Sequence, residues 1–269
     1  MRYWNRNLIS STKRPVTESE ASGIFDLTSQ LVYKSASEWP FPPIPIVSNG
    51  LVLHLDAGDS NSYSGSGTTW SDLSGNGNHA TLVNGPSFSS SDGGYIHFDG
   101  SNDRASISSL DVPDKPFTIA AWVNHDSVSG WRTYAGQDSS LSGPAGALYF
   151  QKRNTTNDFA FTTRPSDGST GSAAFSTTTA SANTWFNVCG VASTTAMKIY
   201  INGTLEATTN NSTSIAARTG DLLIGAGFYN NNIVDFFDGK ISSVLIYNRE
   251  LSGTEVTQNY NSIKSRYGL

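Results

Sequence analysis

The sequence predicts an all-β protein that closes on a short C-terminal helix and opens with an extended N-terminal arm. Three observations predict it. The 269 residues include 25 Gly, and only 14% are charged while 11% are aromatic. That composition suits many short strands joined by tight turns and is poor material for long helices. Apolar runs rich in β-branched and aromatic residues recur between clusters of Gly, Asn, Asp and Ser. Finally, residues 237–263 read as a strand followed by a helix. Asp238 and Gly239 turn the chain, and Ile241, Val244 and Ile246 then make an apolar run that Tyr247 closes. Ser252 opens a helix, Glu255 three residues on completes a capping box, and Val256, Tyr260, Ile263 and Tyr267 recur at helical spacing.

Residues 1–46 read unlike the rest. Thr17 to Glu20 resembles a helix start that Gly23 interrupts, and Asp26 then caps a short helix in which Leu27, Leu31 and Lys34 share a face. Trp39 ends it, because four prolines in the next six residues enforce extended backbone. The segment is too short to bury a core alone, so Leu27, Leu31 and Trp39 are expected to anchor on a partner surface or on symmetry mates. Arg2, Arg6, Lys13 and Arg14 make its start basic, whereas the remainder carries thirteen basic against twenty-two acidic residues, within a net charge of −5. An acidic body argues against nucleic-acid binding, which needs clustered Lys and Arg. No apolar run is long enough to span a bilayer, so membrane insertion is not expected. Cys189, the only cysteine, lies in an apolar strand and reads as a small buried hydrophobe. The opening residues lack the apolar stretch of a secretory signal.

From residue 47 the chain is expected to form one domain. Residues 51–55 read as its first strand, and residues 56–84 as loop. Residues 95–98 alternate, a turn follows at 99–103, and 117–123 form a core strand. Residues 131–146 read as loop before a strand at 147–151. Residues 159–161 and 185–191 are further strands, separated by a polar Ser/Thr tract. Residues 197–201 lead into Asn202 and Gly203, a type I′ hairpin signal. A strand at 222–225 precedes an Asn-rich loop at 227–232.

Four strings in order carry a resemblance: W-S-D-L-S-G-N-G-N-H-A from Trp70, F-D-G-S-N-D from Phe98, W-F-N-V with K-I-Y-I-N-G from Trp185, and I-Y-N-R-E-L-S-G-T-E-V-T-Q-N-Y-N from Ile246. Together they resemble the bacterial and phage branch of the laminin-G-like family. The resemblance implies a concanavalin A-like jelly roll, two antiparallel sheets packed face to face. The G-I-F-D-L-T-S-Q-L-V-Y-K-S-A-S-E-W-P phrase from Gly23 is similar to segments of phage virion proteins. It implies a virion component made in the host cytoplasm, with residues 1–46 docking on other virion proteins, a homo-oligomeric assembly and the sandwich displayed toward host-surface glycan. A purely structural decoration component is the alternative.

Catalysis is the less favoured reading. Laminarinase-type relatives of this jelly roll keep an E-x-D-x-x-E string on one strand, and it is absent here. Three of six glutamates, Glu18, Glu20 and Glu38, belong to the arm, while Glu206, Glu250 and Glu255 flank turns. Aromatics in predicted loops are what stack on sugar rings, which makes Tyr63, Trp70, Trp131, Tyr134, Phe228 and Tyr229 the carbohydrate-binding candidates. The resemblance also offers Asp72, Asn76, Asp99, Asn102, Asp103 and Asp238 as oxygen ligands for calcium, against their alternative role of capping their own turns.

Overall fold

The computed structural model describes residues 44–108, 110, 112, 116–137, 148–164, 171–210, 220–229 and 232–269. The chain divides into two units, Met1–Ile44 and Pro45–Leu269, and the architecture below is that of the second. Leu27, Leu31 and Trp39 lie outside the described residues.

Strand β1 (Leu51–Asp56) is followed by β2 (Thr69–Trp70), β3 (Ala80–Val83), β4 (Ser87–Ser89), β5 (Tyr95–Asp99) and β6 (Arg104–Ile107). The middle of the chain supplies β7 (Phe117–His125), β8 (Arg132–Gln137), β9 (Leu148–Lys152), β10 (Asp158–Thr163) and β11 (Ser172–Thr179). Next come β12 (Trp185–Ala192), β13 (Ala196–Ile201), β14 (Thr204–Asn210), β15 (Leu222–Ile224), β16 (Gly227–Tyr229), β17 (Asn232–Val234) and β18 (Asp238–Tyr247). Helix α1 (Gly253–Ile263) and a 3-10 turn, Lys264–Tyr267, finish the chain.

Two antiparallel sheets form a sandwich. The first runs β14-β13-β12-β7-β18-β5-β4, with β1 also paired to β18, and the second runs β11-β10-β9-β8-β15-β6-β3-β2. Strands β16 and β17 make a separate hairpin. The facing sides interdigitate through fully buried Trp70, Phe98, Phe117, Tyr134, Phe150, Phe159, Phe161 and Phe237. Burial of so many rings is the main stabilising term. The sheets approach closely at Gly190 of β12, where an added Cβ would lie 2.5 Å from Cγ of Phe161 on β10.

All nine residues of β7 are buried, more than a half-solvated strand requires. Helix α1 explains it by covering the sheet's outer face. Ala120 joins Leu251 and Val256, while Trp122 stacks on Tyr260 at 5.6 Å and on Tyr267 at 4.4 Å. The capping box forms as expected, with Ser252 Oγ accepting from Glu255 N and the Glu255 carboxylate accepting from Ser252 N. Arg266 clamps Asp56 with both terminal nitrogens, at 2.6 and 3.0 Å. Asn259 accepts from Val47 N at 2.8 Å, and Gln258 donates to the Pro45 carbonyl at 2.9 Å. The last residues of the proline-rich stretch are therefore held by the sandwich.

Several segments read as loop contain strands. Residues 56–84 hold β2 and β3, residues 131–146 hold β8, the Ser/Thr tract is β11, and the Asn-rich loop contains the β16–β17 hairpin. Their partners, not their own propensities, fix them in the sheet. The Asn202 and Gly203 turn has φ of 50° and 77°, as a type I′ hairpin requires.

Candidate functional site

The outer face of the second sheet carries the groove. Along β9, Leu148, Phe150 and Lys152 point inward, which turns Tyr149 and Gln151 outward. Pairing aligns two outward rows across the sheet. One is Thr133, Gln151, Ala160 and Phe175, and the next is Gly136, Tyr149, Thr162 and Ala173. Thr162 and Ala173 floor a trough, Gly136 lies beneath Gly227 of β16, and the large residues become walls. The resulting groove encloses about 780 Å³ between Trp131, Tyr149, Phe175 and Tyr229, with Arg153, Arg164 and Asp235 supplying its charges.

Each wall is held from behind. Tyr149 donates its hydroxyl to the Phe228 carbonyl at 2.6 Å, which ties the β16–β17 hairpin against β9 and presents Tyr229, 53% exposed. Trp131, 40% exposed, follows a loop whose Val128 carbonyl accepts a hydrogen bond from the buried Lys152 ammonium. Lys152 also donates to Asn157 at 3.0 Å, and burial with the nearby Arg132 charge pulls its pKa down to about 8. Phe175, 41% exposed, lies under the Arg153 guanidinium at 4.0 Å.

The charges differ in how they are committed. Arg153 is neutralised by a two-pronged pair with Asp158, at 2.7 and 2.5 Å. Arg164 rests over the Tyr149 ring at 5.7 Å. Asp235 is held by its backbone, whose carbonyl accepts from Thr133 N at 3.0 Å, and it adopts a positive φ of 55°. Burial raises the pKa of its carboxyl, with Arg132 opposing.

Of the aromatic candidates, Trp131 and Tyr229 meet in this groove. Phe228 lies beside it and contributes its carbonyl. Tyr63, Trp70 and Tyr134 require correction, because they are core residues. Trp70 is wholly buried in β2, and Tyr63 packs on Phe88 at 5.3 Å while its hydroxyl donates to the Gly67 carbonyl. Tyr134 alternates inward from β8 and meets His125 Nε2 at 2.9 Å, beside Phe150 and Phe237. Sequence reasoning missed Tyr149, Arg153, Arg164, Phe175 and Asp235. The signal for Phe175 was a lone aromatic among Ser and Thr in a period-2 segment.

Three of the oxygen-rich candidates, Asp72, Asp99 and Asp103, cap their own turns. Asp72 accepts from His54 N, Ser74 N, Ser74 Oγ and Asn78 N at 2.7–3.0 Å. Burial would raise its carboxyl pKa, but those bonds outweigh it and lower the value. Asn76 donates to the Leu51 carbonyl and to Ser74 Oγ. Asp99 accepts from Ser101 and Asn102, Asp103 accepts from Asp99 N, and Asp238 faces Arg132 at 3.6 Å. Among the described residues no three His, Cys, Asp or Glu side chains are placed to hold a metal ion. The Asp72 carboxylate is thus committed to donors from β1 and from its own turn, while Asp238 faces a cation.

Comparison with known proteins agrees with this architecture. A family model described as concanavalin A-like lectin/glucanases superfamily matches residues 99–257, more than half of the chain. No curated protein matches the sequence. Among solved structures, domain 4 of AbnA, a GH43 extracellular arabinanase from Geobacillus stearothermophilus in complex with arabinotriose, is 15% identical. It aligns over 78% of this chain and 98% of its own, with a TM-score of 0.61. The botulinum neurotoxin serotype D ligand-binding domain in complex with N-acetylneuraminic acid is 14% identical, over 80% of this chain and 51% of that one, TM-score 0.60. Trypanosoma rangeli sialidase in complex with sialic acid is 16% identical, over 81% and 33%, TM-score 0.59. The chain thus spans about half of the neurotoxin chain and a third of the sialidase, and at these identities the likeness is one of fold. By its fold and by the family match across β5 to α1, the chain belongs to the concanavalin A-like lectin/glucanases superfamily.

Proposed function

We propose that the sandwich is a non-catalytic glycan-binding module, carried on a virion through residues 1–46 and displayed toward host-surface glycan. The observation that carries the binding part is the groove itself: exposed aromatic rings around a floor of small residues, with polar groups between them. Fold neighbours in complex with arabinotriose and with sialic acid support carbohydrate as the ligand class. Glycoside hydrolysis generally needs two carboxyl groups flanking the scissile bond. Asp235 is the single carboxyl among the described residues lining the groove, and the neighbouring Asp158 is tied to Arg153 and Thr156. That count supports binding without cleavage.

The test is titration of the intact protein against soluble arabinan, laminarin and polysialic acid, with a reducing-end assay in parallel. Saturable binding abolished by Trp131→Ala or Tyr229→Ala, with no released ends, is expected. Binding indifferent to both substitutions would move the site elsewhere, and turnover would make the protein an enzyme. For residues 1–46, the expected result of removing residues 1–43 is a folded sandwich that no longer assembles into particles.

A further inference from the structure

We infer that Asp235 is the hydroxyl-binding group of this groove and that the sugar ring it selects is uncharged, an inference that rests on the glycan-binding reading above. Asp235 stands out because nothing among the described residues satisfies its side chain. The carboxyl is half-buried, yet it makes no side-chain hydrogen bond or ion pair among the described residues. The cation nearest in effect, Arg132, is committed elsewhere: its Nη1 donates to the Phe236 carbonyl at 2.8 Å and its Nη2 faces Asp238. The other acids near the groove sheet are engaged, Asp158 by Arg153 and Thr156, and Glu206 by Thr177 and Thr178.

The backbone holds this unsatisfied group in place at a cost. A non-glycine residue at φ 55° is uncommon, and strained positions of this kind persist where the surroundings over-determine them. Here the hydrogen bond from Thr133 N to the Asp235 carbonyl fixes the residue beside the row of Thr133, Gln151, Ala160 and Phe175. A carboxylate offers two acceptor oxygens, so it fits a ligand presenting two adjacent hydroxyls. A sugar ring stacked on Trp131 or Tyr229 presents such hydroxyls at its edge. An acidic sugar in the same place would set like charges together. The Arg164 guanidinium is engaged with the face of the Tyr149 ring, one outward row away from that of Thr133 and Gln151.

The experiment compares Asp235→Asn and Asp235→Gly with Trp131→Ala in the intact protein, titrating arabinan and laminarin as neutral probes and polygalacturonate and polysialic acid as acidic ones. Asn and Gly both tolerate a positive φ, so the fold should survive either change, checked by melting temperature. The wild type is expected to bind a neutral polymer in preference to both acidic ones. Asp235→Asn and Asp235→Gly should each weaken that binding about ten- to a hundredfold, the range of a lost hydrogen bond to a charged group. If Trp131→Ala abolishes binding while both Asp235 variants bind as the wild type does, the role of Asp235 is refuted and the groove stands. Preference for an acidic polymer refutes the uncharged ring alone. Absence of binding to all four polymers refutes the groove and Asp235 together.

Discussion

Glu206 is the residue whose loss should loosen the groove without touching it. It lies on β14, the edge of the first sheet, and reaches β11, the edge of the second. One carboxylate oxygen accepts from Thr177 N at 2.8 Å, Thr177 Oγ1 at 3.1 Å and Thr178 N at 2.9 Å, and the other accepts from Thr178 Oγ1 at 2.5 Å. These bonds close the sandwich along one side and fix the strand that carries Ala173 and Phe175 into the groove. Hydrogen bonds to a charged group contribute about 1.5–3 kcal/mol each when isolated from water. Here water reaches the carboxylate and four donors share it, so Glu206→Ala is expected to cost about 2 kcal/mol in total. For a domain of this size that lowers Tm by about 4–8 °C.

The pH dependence follows from the same contacts. Burial alone would raise the Glu206 pKa, but the bonds from Thr178 and Thr177 outweigh it and place the folded value below the ordinary 4.5. The stabilisation is therefore complete above the unfolded value and is lost as pH falls through the lowered folded one. Hydrogen exchange is the decisive assay, since the amides of Thr177 and Thr178 should be protected in the wild type and exchange faster in Glu206→Ala. Unchanged exchange and an unchanged melt would refute the latch.

Other expectations follow from single contacts. Glu255→Ala removes the capping-box carboxylate and the pair with Arg249 at 2.6 Å, and should destabilise by about 1 kcal/mol in chemical denaturation. Arg249 and the Ser252 backbone hold the Glu255 pKa at about 2, so this stabilisation should fade between the unfolded value near 4.5 and that value as pH falls. Gly190→Ala should destabilise by about 1–3 kcal/mol, because its Cβ would meet the base of the Phe161 ring and not a flexible tip. Treatment with EDTA should leave the melting temperature unchanged, because the Asp72 oxygens are already occupied by donors from β1 and from their own loop.

The parts of the fold legible in the sequence are those whose cause is local. The capping box of α1 needs only Ser252 and Glu255, the hairpin at Asn202 and Gly203 needs only two residues at positive φ, and β18 declares itself by its β-branched run. The strands misread as loop lack such causes. Strand β2 is two residues long, and Trp70 looked like a loop aromatic because turn-forming residues surround it. Strand β8 reads R-T-Y-A-G-Q, and β11 reads S-A-A-F-S-T-T-T, with neither run apolar enough to announce a buried neighbour. Both are specified by the strands they pair with, and pairing is a property of distant sequence.

The groove was hard to read for a related reason. A strand is recognised by large apolar residues on its core side, whereas a trough needs small or polar residues on the other side. Thr162 and Ala173 are informative only once the register sets them beside one another. The walls come from separate strands and from the turn that carries Asp235, so no window of sequence contains two of them in their final relation. Phe175 shows what survives of the signal. An aromatic ring on the outward side of a polar strand has no core to join, and the register places it across the trough from Tyr149, where a ligand can cover both.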